Sequence, residues 1–180
     1  MRIGKKKLLI AFMGPVGSGK SYIAKILAKK LGAVHIRTDD IRVELRAQGK
    51  RYDAAPRIAA NLHDQALSSG KSVIADFDAV LPRRKRELAK IAKKYGASFF
   101  LIAVNTPEQI ILARLREKRY TKKELFKNAD EAIRVYFIRK QIREKGLRAS
   151  PDFVINNAKT LEPQIEKIVR NITVLYPKAI

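Results

Sequence analysis

Gly14-Pro15-Val16-Gly17-Ser18-Gly19-Lys20-Ser21 is the stretch that decides the fold. It has the spacing G-x-x-x-x-G-K-[ST] in full. Glycines here let backbone N–H groups turn inward, because no Cβ blocks the approach of an anion. Upstream, Lys7 to Met13 is a short apolar run that reads as a buried strand. Downstream, Ile23, Ile26, Leu27 and Leu31 recur at helical spacing, and Gly32 stops the helix. The loop therefore joins a strand to a helix N-terminus, where free N–H groups and the dipole favour phosphate. An accidental glycine-rich turn would not bring strand, loop and helix in this order. Lys20 is expected on the β- and γ-phosphates, and Ser21 on Mg²⁺.

Outward from the loop, strands and helices alternate. Val34 to Thr38 reads as a second strand, Ser72 to Phe77 as a third, Ser98 to Val104 as a fourth and Asp152 to Ile155 as a fifth. Helices are expected over 41–47, 56–67, 82–95 and 106–119, then a polar helical stretch over 121–145 and a last helix over 160–175. Thr106 is a plausible cap for its helix, with Pro107 at the first position. The pattern predicts an α/β fold of the three-layer P-loop NTPase type, with a five-stranded parallel sheet in the order 2-3-1-4-5. One domain over 1–180 is expected, with a helical lid at about 116–148.

Composition narrows the class. The 180 residues include no cysteine, which removes disulfides, thiolate zinc sites and cysteine catalysis. The basic start at Arg2, Lys5, Lys6 and Lys7 is followed by an apolar run too short for a leader, and no stretch is long enough to span a membrane. A cytoplasmic protein is expected. The net charge is +22, from 39 basic against 17 acidic residues. A heat-adapted surface would pair its lysines with glutamates, and acids are too scarce for that. The excess favours a polyanionic partner such as RNA or DNA. Its densest runs are Arg83 to Arg86 with Lys90, Lys93 and Lys94, and the group Arg134, Arg139, Lys140, Arg143, Lys145 and Arg148.

In a parallel sheet, ligands collect beyond the carboxyl ends of the strands. Asp39 and Asp40 follow strand two, Asp76 and Asp78 end strand three, Asn105 ends strand four, and Asn156 and Asn157 end strand five. Phosphoryl transfer needs a carboxylate to take the acceptor's proton, and Asp39 suits that role. Asp40 suits the N-cap of the following helix instead. Asp76 is the expected Mg²⁺ partner beside Ser21, or else a strand-end turn residue; Asp78 is the weaker candidate. Arg114, Arg116, Lys118 and Arg119 form either a solvated face or a group of which one member closes over the phosphates. His35 and His63 lack metal-ligand spacing and are assigned no role.

These residues resemble the small P-loop kinases that include polynucleotide 5′-hydroxyl kinases, zeta toxins and chloramphenicol phosphotransferase. The likeness is carried by Gly14 to Ser21, by Thr38-Asp39-Asp40-Ile41-Arg42, and by Ser72 to Asp76 followed by the basic run from Arg83. It implies an ATP- and Mg²⁺-dependent kinase acting on a hydroxyl; the net charge makes a nucleic acid 5′-end the leading acceptor. The likeness implies Asp39 as general base, Arg42 as clamp on an acceptor phosphate, and Arg119 as lid arginine. The segment Asp152 to Asn157, with Asn156 as its contact, is implied to lie near adenine. Many relatives carry D-A-T-N after strand three, where this chain has Asp76-Phe77-Asp78-Ala79. A kinase of a nucleotide or small metabolite, and a nucleic-acid-binding ATPase that phosphorylates nothing, are the alternatives.

Overall fold

The computed structural model describes residues 7–146 and 148–175, so the basic start at Arg2 to Lys6 lies outside the described residues. The elements are β1 (Leu8–Met13), α1 (Lys20–Leu31), β2 (Val34–Arg37), α2 (Thr38–Ala47), a single 3₁₀ turn (Tyr52–Ala54), α3 (Ala55–Ser68), β3 (Val73–Asp78), α4 (Pro82–Lys94), β4 (Ser98–Asn105), α5 (Glu108–Glu117), α6 (Ala129–Lys145), β5 (Phe153–Asn156) and α7 (Leu161–Leu175). The five strands form one sheet in the order β2-β3-β1-β4-β5. Every pairing is parallel. This is the P-loop NTPase fold, in the order that the sequence predicts.

β1 is buried along its whole length because helices cover both faces of the sheet. Its alternate residues serve two cores. Leu8, Ile10 and Phe12 pack with Ile23 and Leu27 of α1 and Ile165, Ile168 and Ile172 of α7. Leu9, Ala11 and Met13 pack with Ala59 and Leu67 of α3 and Leu88 and Ala92 of α4. A third, small cluster joins α5 to α6 through Ile111, Leu115, Ala132 and Tyr136. α1 ends where expected, at Gly32, whose left-handed backbone (φ 58°) returns an N–H to the Ala28 carbonyl.

Three local expectations are corrected. Thr38 opens α2 rather than closing β2, so Asp39 and Asp40 sit in the first turn and Asp40 is not its cap. Asp40 instead accepts from Arg37 at 2.7 Å, and both carboxylates complement the helix dipole. Thr106 does not cap α5; its hydroxyl donates to the Ser18 carbonyl at 2.9 Å. The stretch 121–128 is a chain of turns and bends, not the start of a long helix. Asn128 accepts the Glu131 N–H, and the Glu131 carboxylate accepts the Lys127 N–H. That reciprocal capping makes α6 begin at Ala129. Upstream, the guanidinium of Arg46 on α2 occupies the carbonyls of Lys122, Glu124 and Leu125, which a helix would need for itself.

Candidate active site at the carboxyl edge of the sheet

The loop after β1 is held from three neighbouring strand ends. Asp78, at the end of β3, accepts the Gly14 N–H at 3.1 Å. Thr106, after β4, and Asn157, after β5, both donate to the Ser18 carbonyl, the latter at 2.6 Å. Gly19 has φ 90°, and a Cβ there would collide with the Asn157 side-chain amide. Glycine is thus required twice at that position, by the backbone angle and by the approach of Asn157. A Cβ at Gly17 would meet Ile111 and Leu115 of α5 at 3.0 and 3.1 Å.

Lys20 turns its ammonium inward, donating to the carbonyls of Gly14 and Pro15 at 2.7 and 2.8 Å. Burial of that end pushes its pKa down to about 8; Arg143 lowers it further, while Asp78, Asp76 and Asp39 act in the opposite sense. Three carboxylates thus face one lysine. Asp39 is bound to Arg42, one turn on, at 2.5 Å. Asp76 is buried and accepts from His35 Nε2 at 3.0 Å through Oδ2, with Arg37 Nε 3.9 Å away. His35, Arg37 and Asp76 meet because β2 and β3 run in register, Arg37 beside Asp76. Asp78 uses its second oxygen to pair with Arg143 of α6.

One cavity of about 590 Å³ joins these groups. Lys20, Ser21, Asp39, Arg42, Asp76 and Asp78 all line it, together with Gly17, Gly19, Arg114, Lys118, Arg139 and Arg143. Of the sequence-predicted residues, Gly14, Pro15, Ser18, Arg119 and Asn156 are not in its wall. Arg119 is exposed and makes no hydrogen bond or ion pair among the described residues. The Asn156 backbone is tied to the Gln164 side chain of α7, and its own carboxamide accepts the Ala158 N–H. It borders a separate cavity of about 480 Å³ behind Gly14 and Pro15.

Three residues that build or brace this site carry no sequence signal for it: Arg143 in the cavity wall, and His35 and Asn157 behind it. By sequence Arg143 belongs to a basic run, yet its side chain is only 11% exposed and pairs with Asp78, the carboxylate that accepts the Gly14 N–H. His35 had no role and binds Asp76. Asn157 had been noted only as one of several strand-end polar groups, with no sign that it would buttress the loop. His35 and Asn157 depend on which strands lie side by side, and Arg143 on how α6 packs over the sheet edge; no spacing along the chain encodes either.

Oxygen donors suited to Mg²⁺ are present. The Ser21 hydroxyl and the Asp76 and Asp78 carboxylates share the cavity. Asp78 has both oxygens engaged, by Gly14 and Arg143, whereas the Asp76 partners both meet Oδ2. No cluster of three or more metal-binding side chains occurs among the described residues.

The chain matches known proteins in keeping with this geometry. A family model described as an AAA domain covers residues 9–136. A cytidylate kinase of Exiguobacterium sp. is 45% identical over 67 residues, which are 35% of this chain and 30% of that protein. A protein of Aeropyrum pernix called UPF0200 is 30% identical over 128 residues, 63% of this chain and 66% of its own. Matched segments therefore span less than two thirds of these relatives' lengths. Among solved structures, a sugar kinase from Janibacter sp. superposes with a TM-score of 0.63 at 18% identity, covering 97% of this chain and 99% of that one. The Mycobacterium tuberculosis APS kinase in complex with AMPPNP and APS gives 0.61 at 17% identity, covering 92% and 96%. At such identities these two show a shared fold. No helix among the described residues is long and apolar enough to cross a membrane. With the family model matched from β1 into α6, this chain belongs to the AAA-domain family and carries the P-loop fold.

Proposed function

We propose that this chain is an ATP-dependent P-loop kinase whose acceptor is a nucleotide or small metabolite. The observation that carries the reading is the single cavity of about 590 Å³ with Lys20 and Ser21 on its wall beside Asp39 and Arg42. A volume of that order encloses a small molecule. In this reading the loop from Gly14 to Ser21 binds the donor phosphates, and Lys20 leaves its carbonyl partners for the β- and γ-oxygens. Ser21 and Asp76 would hold Mg²⁺, which would neutralise phosphate charge when bound. Asp39 takes the proton of an acceptor hydroxyl, and Arg42, drawn close by Asp39, orients the acceptor. If the acceptor group is itself a phosphate, no base is needed and Asp39 only positions Arg42. Arg114, Lys118, Arg139 and Arg143 supply the positive charge around the moving phosphoryl group. The stretch 116–148 acts as the lid of one domain.

The test is transfer from γ-labelled ATP to a panel of acceptors: nucleoside monophosphates, sugars and sugar acids, and 5′-hydroxyl RNA and DNA. Label in a nucleotide or small metabolite is the expected result. ATP hydrolysis at the same rate with and without every acceptor would overturn the kinase reading in favour of an ATPase.

A nucleic acid 5′-end remains a second reading, favoured by charge on one helix. Arg83, Arg86, Lys90 and Lys93 are exposed along α4, with Glu87 as the only acid of that helix. Oligonucleotide labelling that falls steeply with salt would support it.

A further inference from the structure

The cavity does not end at the strand tips. It extends between α3 and α4, where Ala59, His63, Phe77, Val80, Leu88 and Ile91 line it. Five of those six side chains are apolar. The sixth, His63, is 3% exposed, and its Nε2 is shut off from solvent without a hydrogen-bond partner. The imidazole lies nearly parallel to the Phe77 ring, at 22° and 6.5 Å between centroids. Ala59 and Ala55, one and two turns before His63 on the same buried stripe of α3, are small. The recess thus combines flat walls, little bulk and one unsatisfied polar atom.

A buried imidazole nitrogen without a partner is unfavourable and calls for a ligand or a function. The other charged groups lining this end do not supply a partner, since Arg84 and Glu87 are bound to each other at 3.1 Å. A linear sugar acid offers no flat face to these walls. A nucleobase does, and its edge carries ring nitrogens and exocyclic groups that pair with an imidazole nitrogen.

We propose that this recess reads the phosphoryl acceptor and takes a nucleobase, stacked between the apolar walls, the His63 ring turning so that Nε2, closed to solvent in the free protein, hydrogen-bonds its edge. The inference rests on the reading that the cavity seats the acceptor, and it narrows that acceptor to a nucleoside or nucleoside monophosphate. His63 is then a specificity-determining residue at a distance from the transferred group. A pocket built to bond a polar edge rejects ligands that lack it far more strongly than one built on shape alone.

The chain has two histidines, His35 and His63, so each ring gives its own Cε1–H signal in an NMR spectrum of the labelled protein. AMP, CMP, GMP and UMP are titrated in one arm, and gluconate and glycerol in the other. The same mixtures are then assayed for transfer from γ-labelled ATP. The expected result is a saturable shift of the His63 signal with at least one nucleotide and none with the ring-free compounds. For that nucleotide, His63→Phe should raise KM about tenfold while kcat changes less than about twofold, and His63→Gln should recover part of the loss. A His63 signal unmoved by all four nucleotides, while gluconate or glycerol is phosphorylated, overturns the inference and leaves the kinase reading standing. A nucleotide-dependent shift with no transfer to any acceptor upholds the recess and overturns the kinase reading. Where His63→Phe does not fold, the wild-type titration alone decides.

Discussion

Asn157 donates its side-chain amide to the Ser18 carbonyl at 2.6 Å, joining the end of β5 to the phosphate loop. The same amide lies against Gly19, so β5 shapes the loop by contact as well as by hydrogen bond. Ser18 and Asn157 are both buried, and water cannot replace the bond. We expect Asn157→Ala to destabilise the protein by about 1–3 kcal/mol and to weaken ATP binding several-fold. Urea unfolding and a nucleotide titration check the two effects. An unchanged midpoint and affinity would show that Thr106 alone suffices to hold the Ser18 carbonyl.

How much of this was legible beforehand varies by residue. The sheet order and the strand-end placing of Asp39, Asp76 and Asp78 follow from strand–helix alternation with a phosphate loop after the first strand. The turns over 121–128 were not legible. Thr121 to Lys145 has helical composition throughout, and what breaks it is Arg46, some 75 residues earlier on a different element. Likewise, nothing near Arg143 marks it as a partner of Asp78. Among basic residues of similar local pattern, only the packing of α6 selects it. Thr106 looked like a cap because Thr-Pro usually is one, yet a carbonyl from the phosphate loop lies closer to its hydroxyl. Local signals were read well where one element decided the outcome, and poorly where two distant ones met.

Lys20 gives a pH dependence with a definite sign. Its pKa in the folded protein is pushed down to about 8 by burial. A bound triphosphate favours the charged lysine and holds its proton. ATP affinity should therefore be flat below about pH 8 and fall above it, with uptake of up to one proton per nucleotide. Isothermal titration in buffers of different ionisation enthalpy measures that proton. Lys20→Arg should remove the proton linkage between pH 8 and 10 even where it weakens binding. For stability the same shift acts below the unfolded value of 10.5. The unfolded chain binds more protons between about 8 and 10.5, so this residue's cost to folding lessens as pH rises through that window.

Asp39→Asn separates chemistry from binding. The substitution keeps the size of the side chain but removes the proton acceptor and weakens the hold on Arg42, now 2.5 Å away. We expect the ATP dissociation constant to change less than about twofold and single-turnover transfer to a hydroxyl to fall by about 10²–10⁴-fold. Normal transfer in this variant would leave Asp39 as a partner of Arg42 and nothing more.

Arg46 joins the helix that carries Asp39 and Arg42 to the loop between α5 and α6. It donates to the carbonyls of Leu125, Lys122 and Glu124 at 2.9, 3.2 and 2.7 Å. Arg46→Ala should leave that loop held by Lys118–Glu124, by the Tyr120 hydroxyl on the Leu115 carbonyl, by the packing of Tyr120 and Phe126 on the α5–α6 cluster and by its own turn bonds. Trypsin cleavage after Lys122, Lys123 and Lys127 should then quicken several-fold relative to cleavage elsewhere in the chain. Arg46→Lys should restore little, because one ammonium cannot span three carbonyls in the plane of a guanidinium. Equal cleavage rates in all three proteins would mean that the loop is held by its own contacts.

His63 makes acid stability depend on a group outside the carboxylates. Burial pushes its pKa down from 6.5 to about 4, with Asp64 opposing weakly. The folded protein therefore keeps the ring neutral, while the unfolded chain protonates it near its ordinary value. The unfolded state binds more protons between pH 6.5 and 4, so stability rises with pH through that window and is lost as pH falls. Two and a half pKa units correspond to about 3 kcal/mol at most, reached only below about pH 4. His63→Phe keeps a flat ring against Phe77 and cannot take up that proton. The variant should be about as stable as wild type, or slightly more so, at pH 7, since it no longer buries an unpartnered nitrogen. Below pH 6 it should become the more stable of the two, with the gap widening toward pH 4. Urea midpoints at half-unit steps from pH 7 to 4 give the difference directly, and comparing variant with wild type cancels the carboxylates they share. Parallel curves for the two proteins would place the His63 titration at its ordinary value and the ring in contact with water.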